Sequence, residues 1–98
     1  MTVSYTLVRR HPHNFHGKFT IVNNGSTAIN GWELAVVLPN DTVVSVWDGV
    51  FHTGDGTVYI DPSASQQTIA PGASLTENFI AQGSTTTPTS CTFNGSAC

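Results

Sequence analysis

The sequence predicts an all-β fold: an antiparallel β-sandwich, jelly-roll or immunoglobulin-like, with about eight or nine short strands. Apolar and polar residues alternate along most of the chain, which places every second side chain on the same face of a strand. Glycine, proline, asparagine and aspartate interrupt this alternation at nearly regular intervals, as turns between short strands do. The length of 98 residues is that of one domain, and we expect residues 1–98 to form a single one.

The predicted strands follow one another along the whole chain. In the first strand, Val3, Tyr5 and Leu7 share one face. In the second, which follows a loop over residues 9–18, Phe19 and Ile21 point inward. The later strands are predicted at residues 32–38, 43–47, 57–60, 67–70, 74–81 and 92–93, with a polar loop at residues 83–90.

The composition favours a secreted domain. Charged residues make up only 9% of the chain, against about 25% in average globular proteins, and serine, threonine, asparagine and glycine take their place. No run approaches the roughly 20 apolar residues of a membrane-spanning helix, so no membrane association is expected. Met1 leads directly into the first predicted strand, so we expect a mature domain without its signal peptide.

The positive charge is concentrated in one segment. All three cations (Arg9, Arg10 and Lys18) and three of the four histidines lie within residues 9–18, whereas all six carboxylates come later. Three cations are too few for a nucleic-acid-binding surface, so no nucleic-acid partner is expected. The segment is either an ordinary solvated loop or a site for an anionic partner.

The two cysteines of the chain, Cys91 and Cys98, flank a turn signal formed by Asn94 and Gly95. Asn-Gly is typical of tight hairpins, which bring the flanking residues close enough for a disulfide. We predict a Cys91–Cys98 disulfide, and with it an oxidising compartment. Two free thiols are the alternative.

Trp47 is the main candidate for ligand binding. It ends a β-branched run and is followed at once by Asp48 and Gly49, a turn signal that leaves an indole near the surface of a sheet. A flat apolar ring in that position can stack on a sugar ring. The alternative is a partly buried tryptophan with a packing role.

A series of short motifs covers essentially the whole chain in a fixed order. They are Tyr5, Phe15, and residues 19–25, 31–34, 38–39, 46–49, 69–72 and 91–98. Together these motifs resemble the family 2 carbohydrate-binding modules of secreted bacterial polysaccharide-degrading enzymes. Members of that family without an N-terminal cysteine often have the paired ending found here, which supports the Cys91–Cys98 pairing.

The resemblance implies a non-catalytic β-sandwich that attaches an enzyme to insoluble cellulose, chitin or xylan. Cellulose binders of this family stack three exposed tryptophans on successive sugars; Trp47 matches one of these, and Trp32 matches a buried core tryptophan. His11 and Ser65 stand at the other two platform positions, with Gln66 beside Ser65. Two of the three rings are therefore replaced, which makes crystalline cellulose the least favoured ligand.

Metal binding and catalysis find little support in the sequence. His11, His13 and His16 are weak candidates for a zinc or copper site, but in an extended segment His16 points away from the other two. We therefore expect no metal and no other cofactor. No carboxylate pairs visibly with Asp48, and no nucleophile or phosphate-binding motif is present, so no enzymatic activity is expected.

Two functional hypotheses follow. In the first, a secreted monomeric module attached to a catalytic domain binds cellulose, chitin or xylan, with Trp47 stacking on sugar rings and His11, Ser65 and Gln66 beside it. In the second, the same fold has a lost or altered sugar-binding face and binds a protein or anionic partner through the Arg9–Lys18 loop.

Overall fold

The computed structural model describes residues 1–38, 41–47, 49–54, 56–83 and 87–98, and confirms the antiparallel all-β fold. Its strands are β1 (Thr2–Arg10), β2 (Asn14–Val22), β3 (Ile29–Asn30), β4 (Leu34–Val37), β5 (Thr42–Val46), β6 (Gly49–Gly54), β7 (Thr57–Pro62), β8 (Thr68–Ile69), β9 (Ser74–Gln82), β10 (Ser90–Phe93) and β11 (Ser96–Ala97). A single turn of 3₁₀ helix, Ala64–Gln66, lies between β7 and β8. Within the described ranges, no helix is long and apolar enough to cross a membrane.

Two main sheets enclose one hydrophobic core. The first sheet has the strand order β1-β2-β9-β5, the second has the order β11-β10-β4-β7-β6, and β3 pairs with β8 separately. Apolar side chains from both sheets meet in a single cluster, as in a β-sandwich. Its most deeply buried members include Phe15, Phe19, Ile21, Leu34, Val36, Ile60, Phe79 and Ala81.

The prediction of a loop over residues 9–18 is wrong. These residues form the end of β1, a turn at residues 11–13 and the first half of β2. Phe15, Gly17 and Phe19 alternate inward and are buried, and β2 pairs with β1 on one side and with β9 on the other. Burial of this face and pairing on both edges favour a strand over a solvated loop.

The predicted strands do not include β6. Its glycines, Gly49 and Gly54, fall in segments that read as turns, yet the strand pairs with β7 from Gly49 opposite Pro62 to Gly54 opposite Thr57. The other two unpredicted strands, β3 and β11, have only two residues each. In the predicted loop over residues 83–90, residues 84–86 lie outside the described part of the chain.

Phe79 lies at the centre of an aromatic cluster between the sheets. Its ring stacks on Phe19 with centroids 5.6 Å apart, meets Phe15 edge-on at 5.9 Å and lies 6.2 Å from Tyr5. Gly17 faces the same cluster, where a Cβ atom would come within 2.7 Å of Phe79 and 2.6 Å of the Tyr5 hydroxyl. The absence of a side chain at Gly17 thus makes room for these rings.

The C-terminal hairpin contains the predicted disulfide. Cys91 and Cys98 are bonded, with their Cα atoms 5.4 Å apart. Asn94 and Gly95 both have positive φ, 50° and 84°, as a two-residue type I′ turn requires. The backbone N–H of Cys98 also donates to the Cys91 carbonyl at 3.0 Å. The turn and the disulfide therefore close the hairpin from opposite ends.

Tyr5 makes the stability of the fold depend on pH in the alkaline range. Burial of the phenol, followed by the negative charge of Asp41, raises the pKa of Tyr5 from 10.0 to about 12. Because the folded pKa lies above the unfolded one, this stabilisation is complete below pH 10.0 and is lost as the pH rises to about 12. We expect the urea midpoint to fall across this interval, and to fall less in Tyr5→Phe. An equal fall in the urea midpoint of the two proteins would contradict the assignment of this pH dependence to Tyr5.

Candidate binding face

Trp47 lies on the outer face of the first sheet, directly after the edge strand β5. The residue is 46% exposed, so its indole is not part of the core. Its backbone N–H donates to the carbonyl of Asn78 in β9 at 3.0 Å. Val46 points inward opposite Phe79, and the alternation of the strand then directs Trp47 outward.

On this outer face, the ring of His16 contacts both Trp47 and Asn78. The centroids of the His16 and Trp47 rings are 5.0 Å apart, with the ring planes inclined at 44°. The imidazole Nε2 of His16 donates to Oδ1 of Asn78 at 3.0 Å, which fixes the orientation of the ring beside the indole. We call Trp47, His16 and Asn78 the tryptophan cluster.

Two cations lie on the same face as the tryptophan cluster. Lys18 is opposite Asn78 in the β2–β9 register, and Arg9 is opposite His16 in the β1–β2 register. Directly opposed residues project their side chains to the same side of a sheet. The basic segment and Trp47 therefore share one surface.

An open groove of about 410 Å³ adjoins the tryptophan cluster. It is lined by His11, Pro12, His13, Asn14 and Ile80. Ile80 lies opposite His16 in the β2–β9 register, so the groove continues the surface that carries Trp47. The predicted site residue His11 is thus on the same face as Trp47.

Ser65 and Gln66 lie in the 3₁₀ turn between β7 and β8. Ser65 is exposed, with its Oγ 3.3 Å from that of Ser63. The carbonyl of Gln66 accepts a hydrogen bond from the indole N–H of Trp32 at 3.0 Å. Trp32 is buried and stacks on Phe93, as a core tryptophan. In the described part of the chain, no hydrogen bond or ring contact joins Trp47 to Ser65 or Gln66.

Asn78 and Ile80 are residues of this face that the sequence does not single out. Both belong to β9, where they alternate with the buried residues Glu77, Phe79 and Ala81. The alternation is a signal that they face outward. Their neighbours on this face come from strands that are distant in the sequence. No local sequence pattern predicts which strands these are.

The three histidines of the basic segment do not converge on one point. His11 and His13 lie in the turn after β1, whereas the His16 ring contacts Trp47. Among the described residues, the group whose possible ligand atoms all lie within 4.8 Å of one another is Glu33, His52 and Asp61.

The Glu33, His52 and Asp61 side chains lie on the second sheet. Nδ1 of His52 is 3.6 Å from Oδ2 of Asp61, and the His52 ring stacks on Tyr59 with centroids 4.9 Å apart. A hydrogen bond with Asp61, then burial and the charge of Asp61, raise the pKa of Glu33 above its ordinary value, and His52 acts in the opposite direction. An oxygen atom of each carboxyl group thus lies within 4.8 Å of one from the other.

Known proteins of similar sequence include both cellulases and chitinases. Endoglucanase E-5 of Thermobifida fusca is 33% identical over 100% of this chain, which spans 21% of that protein. Chitinase C of Streptomyces lividans is 34% identical over 86% of this chain and 14% of its own length. The chain thus spans about a fifth or less of these relatives.

Solved structures of similar fold include two chitin-binding domains. That of Chi18aC from Streptomyces coelicolor has a TM-score of 0.85 and 26% identity, covering 99% of this chain and 92% of its own. The chitin-binding domain of a Pyrococcus furiosus chitinase has a TM-score of 0.73 at 22% identity. The match covers 99% of this chain and 96% of that domain, and supports the fold.

The family match extends over residues 1–98, which is the entire chain. The described residues of the motifs that carry the resemblance in the sequence occupy strands and turns of the same sandwich. From this match and from the two-sheet fold, the chain belongs to the cellulose binding domain family, the family 2 carbohydrate-binding modules, and is a binding module rather than an enzyme.

Proposed function

We propose that this module binds an insoluble polysaccharide by stacking Trp47 on a sugar ring, and that chitin is its favoured ligand. The observation that carries the proposal is the half-exposed indole on the outer face of the first sheet. By analogy with base stacking, one such ring contributes about 1–3 kcal/mol. The contact needs a flat partner, and the apolar face of a pyranose ring provides one.

The polar side chains around Trp47 favour chitin over crystalline cellulose. Asn78 and His16 offer hydrogen-bonding groups beside the indole, Lys18 lies opposite Asn78 on the same face, and His11 and Asn14 line the adjoining groove. Chitin carries an acetamido group on each sugar, which supplies an additional donor and acceptor for such side chains. Cellulose offers hydroxyl groups and ether oxygens but no amide group, and suits a larger aromatic platform. The similarity to the chitin-binding domain of Chi18aC supports the same choice.

His11, Ser65 and Gln66 have smaller roles in this proposal. His11 contacts the sugar chain where it enters the groove beside Ile80. Ser65 contributes its exposed hydroxyl as a hydrogen-bonding group. Gln66 contributes its side-chain amide, because its carbonyl is already bonded to the Trp32 indole.

The proposal includes a secreted, monomeric module joined to a catalytic domain. The Cys91–Cys98 disulfide fits an oxidising compartment. The relatives are much longer than this chain, which leaves room in such a protein for a separate catalytic domain.

Adsorption to insoluble chitin, cellulose and xylan tests the proposal. We expect the tightest adsorption on chitin, with little change between about 0.05 and 0.5 M NaCl, because stacking is not screened by salt. Tighter adsorption to cellulose or xylan would overturn the choice of ligand. No adsorption to any of the three, together with salt-sensitive binding to an acidic polymer, would overturn the function in favour of an anionic partner at residues 9–18.

A further inference from the structure

We propose that Glu33, His52 and Asp61 bind one divalent transition-metal ion, with Zn²⁺ as the best fit, on the second sheet. We call these residues the Glu33 site. They offer two carboxylate oxygens and one imidazole nitrogen, all within 4.8 Å of one another. The ligand atoms around a tetrahedral zinc ion lie about 3.4 Å apart, because each bond is about 2.1 Å long. The distance of 3.6 Å between Nδ1 of His52 and Oδ2 of Asp61 is close to that value.

The strand register places the three side chains next to one another. His52 in β6 lies opposite Tyr59 in β7, and Asp61 follows two residues later on the same face of β7. Leu34 in β4 lies opposite Ile60, so the preceding residue, Glu33, comes next to Asp61. The ligands thus come from three adjacent strands or strand ends of one sheet, a rigid support for a metal site.

Neighbouring groups restrict the ring of His52 and the backbone of Glu33 before any ion binds. The His52 ring lies nearly parallel to Tyr59, with an angle of 14° between the planes. The backbone N–H of Glu33 donates to Oδ1 of Asn94 at 2.8 Å, and the N–H of Asn94 donates to the Glu33 carbonyl at 2.9 Å. Outer contacts of this kind orient metal ligands and reduce the entropy lost on binding.

The charge and the ligand types of the site favour a borderline divalent cation. Two carboxylates with oxygen atoms within 4.8 Å repel each other when both are ionised, and a divalent cation between them removes that repulsion. The side chains of His52 and Asp61 are 60% and 33% exposed, so an ion can enter from solvent. A bound ion can also keep a water molecule in its fourth coordination position. The imidazole nitrogen favours Zn²⁺ over Ca²⁺ or Mg²⁺, which prefer all-oxygen sites.

Calorimetric titration of the 98-residue chain with Zn²⁺ tests the proposal. We expect one ion per chain, with affinity at least about tenfold weaker in His52→Ala and in Asp61→Asn. The matched control is the double variant His11→Ala and His13→Ala, which removes two histidines from the first sheet and should bind Zn²⁺ like the unaltered chain. Ca²⁺ at the same concentration should give no binding heat. Thermal unfolding without metal verifies that each variant is folded.

Three results would overturn the Glu33 site. They are an absence of Zn²⁺ binding up to about 1 mM, binding that survives in both His52→Ala and Asp61→Asn, and binding lost in the His11 and His13 control. An NMR titration gives a second readout, in which Zn²⁺ should shift the ring signals of His52 and Tyr59 and leave the Trp47 indole signal unchanged. Neither experiment contains polysaccharide, so this proposal and the sugar-binding proposal fail independently.

Discussion

Replacement of Trp47 by alanine is expected to raise the dissociation constant for the polysaccharide about 5- to 150-fold. This range corresponds to the loss of one stacking contact of about 1–3 kcal/mol, since 1.4 kcal/mol is a tenfold change in affinity. The chain has two tryptophans, and Trp32 is buried, so Trp47 provides the only indole available to a ligand. Adsorption isotherms on chitin measure the change. Quenching of Trp47 fluorescence by soluble chitin fragments gives a second measurement, because Trp47→Ala retains only the buried Trp32.

The matched control for this experiment is Val50→Ala. Val50 is 62% exposed but belongs to β6 in the second sheet, so its replacement should leave adsorption unchanged. His16→Ala should weaken adsorption by less than Trp47→Ala does, because it removes the ring beside the indole and leaves the indole in place. If a folded Trp47→Ala variant adsorbed as tightly as the unaltered chain, the stacking proposal would be wrong.

Replacement of Phe79 by alanine should remove much of the stability of the domain. Phe79 is 1% exposed and contacts the rings of Tyr5, Phe15 and Phe19. Loss of a buried phenylalanine costs about 3–5 kcal/mol, from the lost burial and from the cavity that remains. Domains of this kind have about 5–15 kcal/mol of unfolding free energy in total. Urea denaturation followed by tryptophan fluorescence measures the loss.

Two further variants make the Phe79 prediction decisive. Phe79→Leu keeps most of the volume and should cost about 1–2 kcal/mol, which remains measurable if Phe79→Ala does not fold. Val50→Ala removes an exposed side chain and should cost less than about 1 kcal/mol. A loss for Phe79→Ala no larger than that for Val50→Ala would show that the aromatic cluster is not the centre of the core.

The features that the sequence predicts correctly are those set by neighbouring residues. The alternation in β9 gives the strand and its buried face, and the Asn94 and Gly95 turn gives the hairpin and the disulfide between Cys91 and Cys98. In each case the decisive side chains lie within a few residues of one another, so local geometry suffices. The strands β3, β6 and β11 are missed, because the glycines of β6 resemble turns and the other two have only two residues each.

The surroundings of Trp47 cannot be predicted in this way, because they depend on strand order. His16, Trp47 and Asn78 come from β2, the end of β5 and β9, and meet through pairings between distant parts of the chain. A shift of one residue in either register would turn these side chains to the other face. The Glu33 site depends in the same way on the order β4-β7-β6.

The ends of the chain determine how the module can be tethered. Cys98 lines the same cavity as Val3 and Ser4, close to the start of β1. From there β1 extends about 30 Å to the turn that contains His11, beside the groove. Both termini therefore lie toward one end of the sandwich and the groove lies toward the other. A catalytic domain could precede or follow this module along a polypeptide, and in either order its linker would leave from the end remote from the groove.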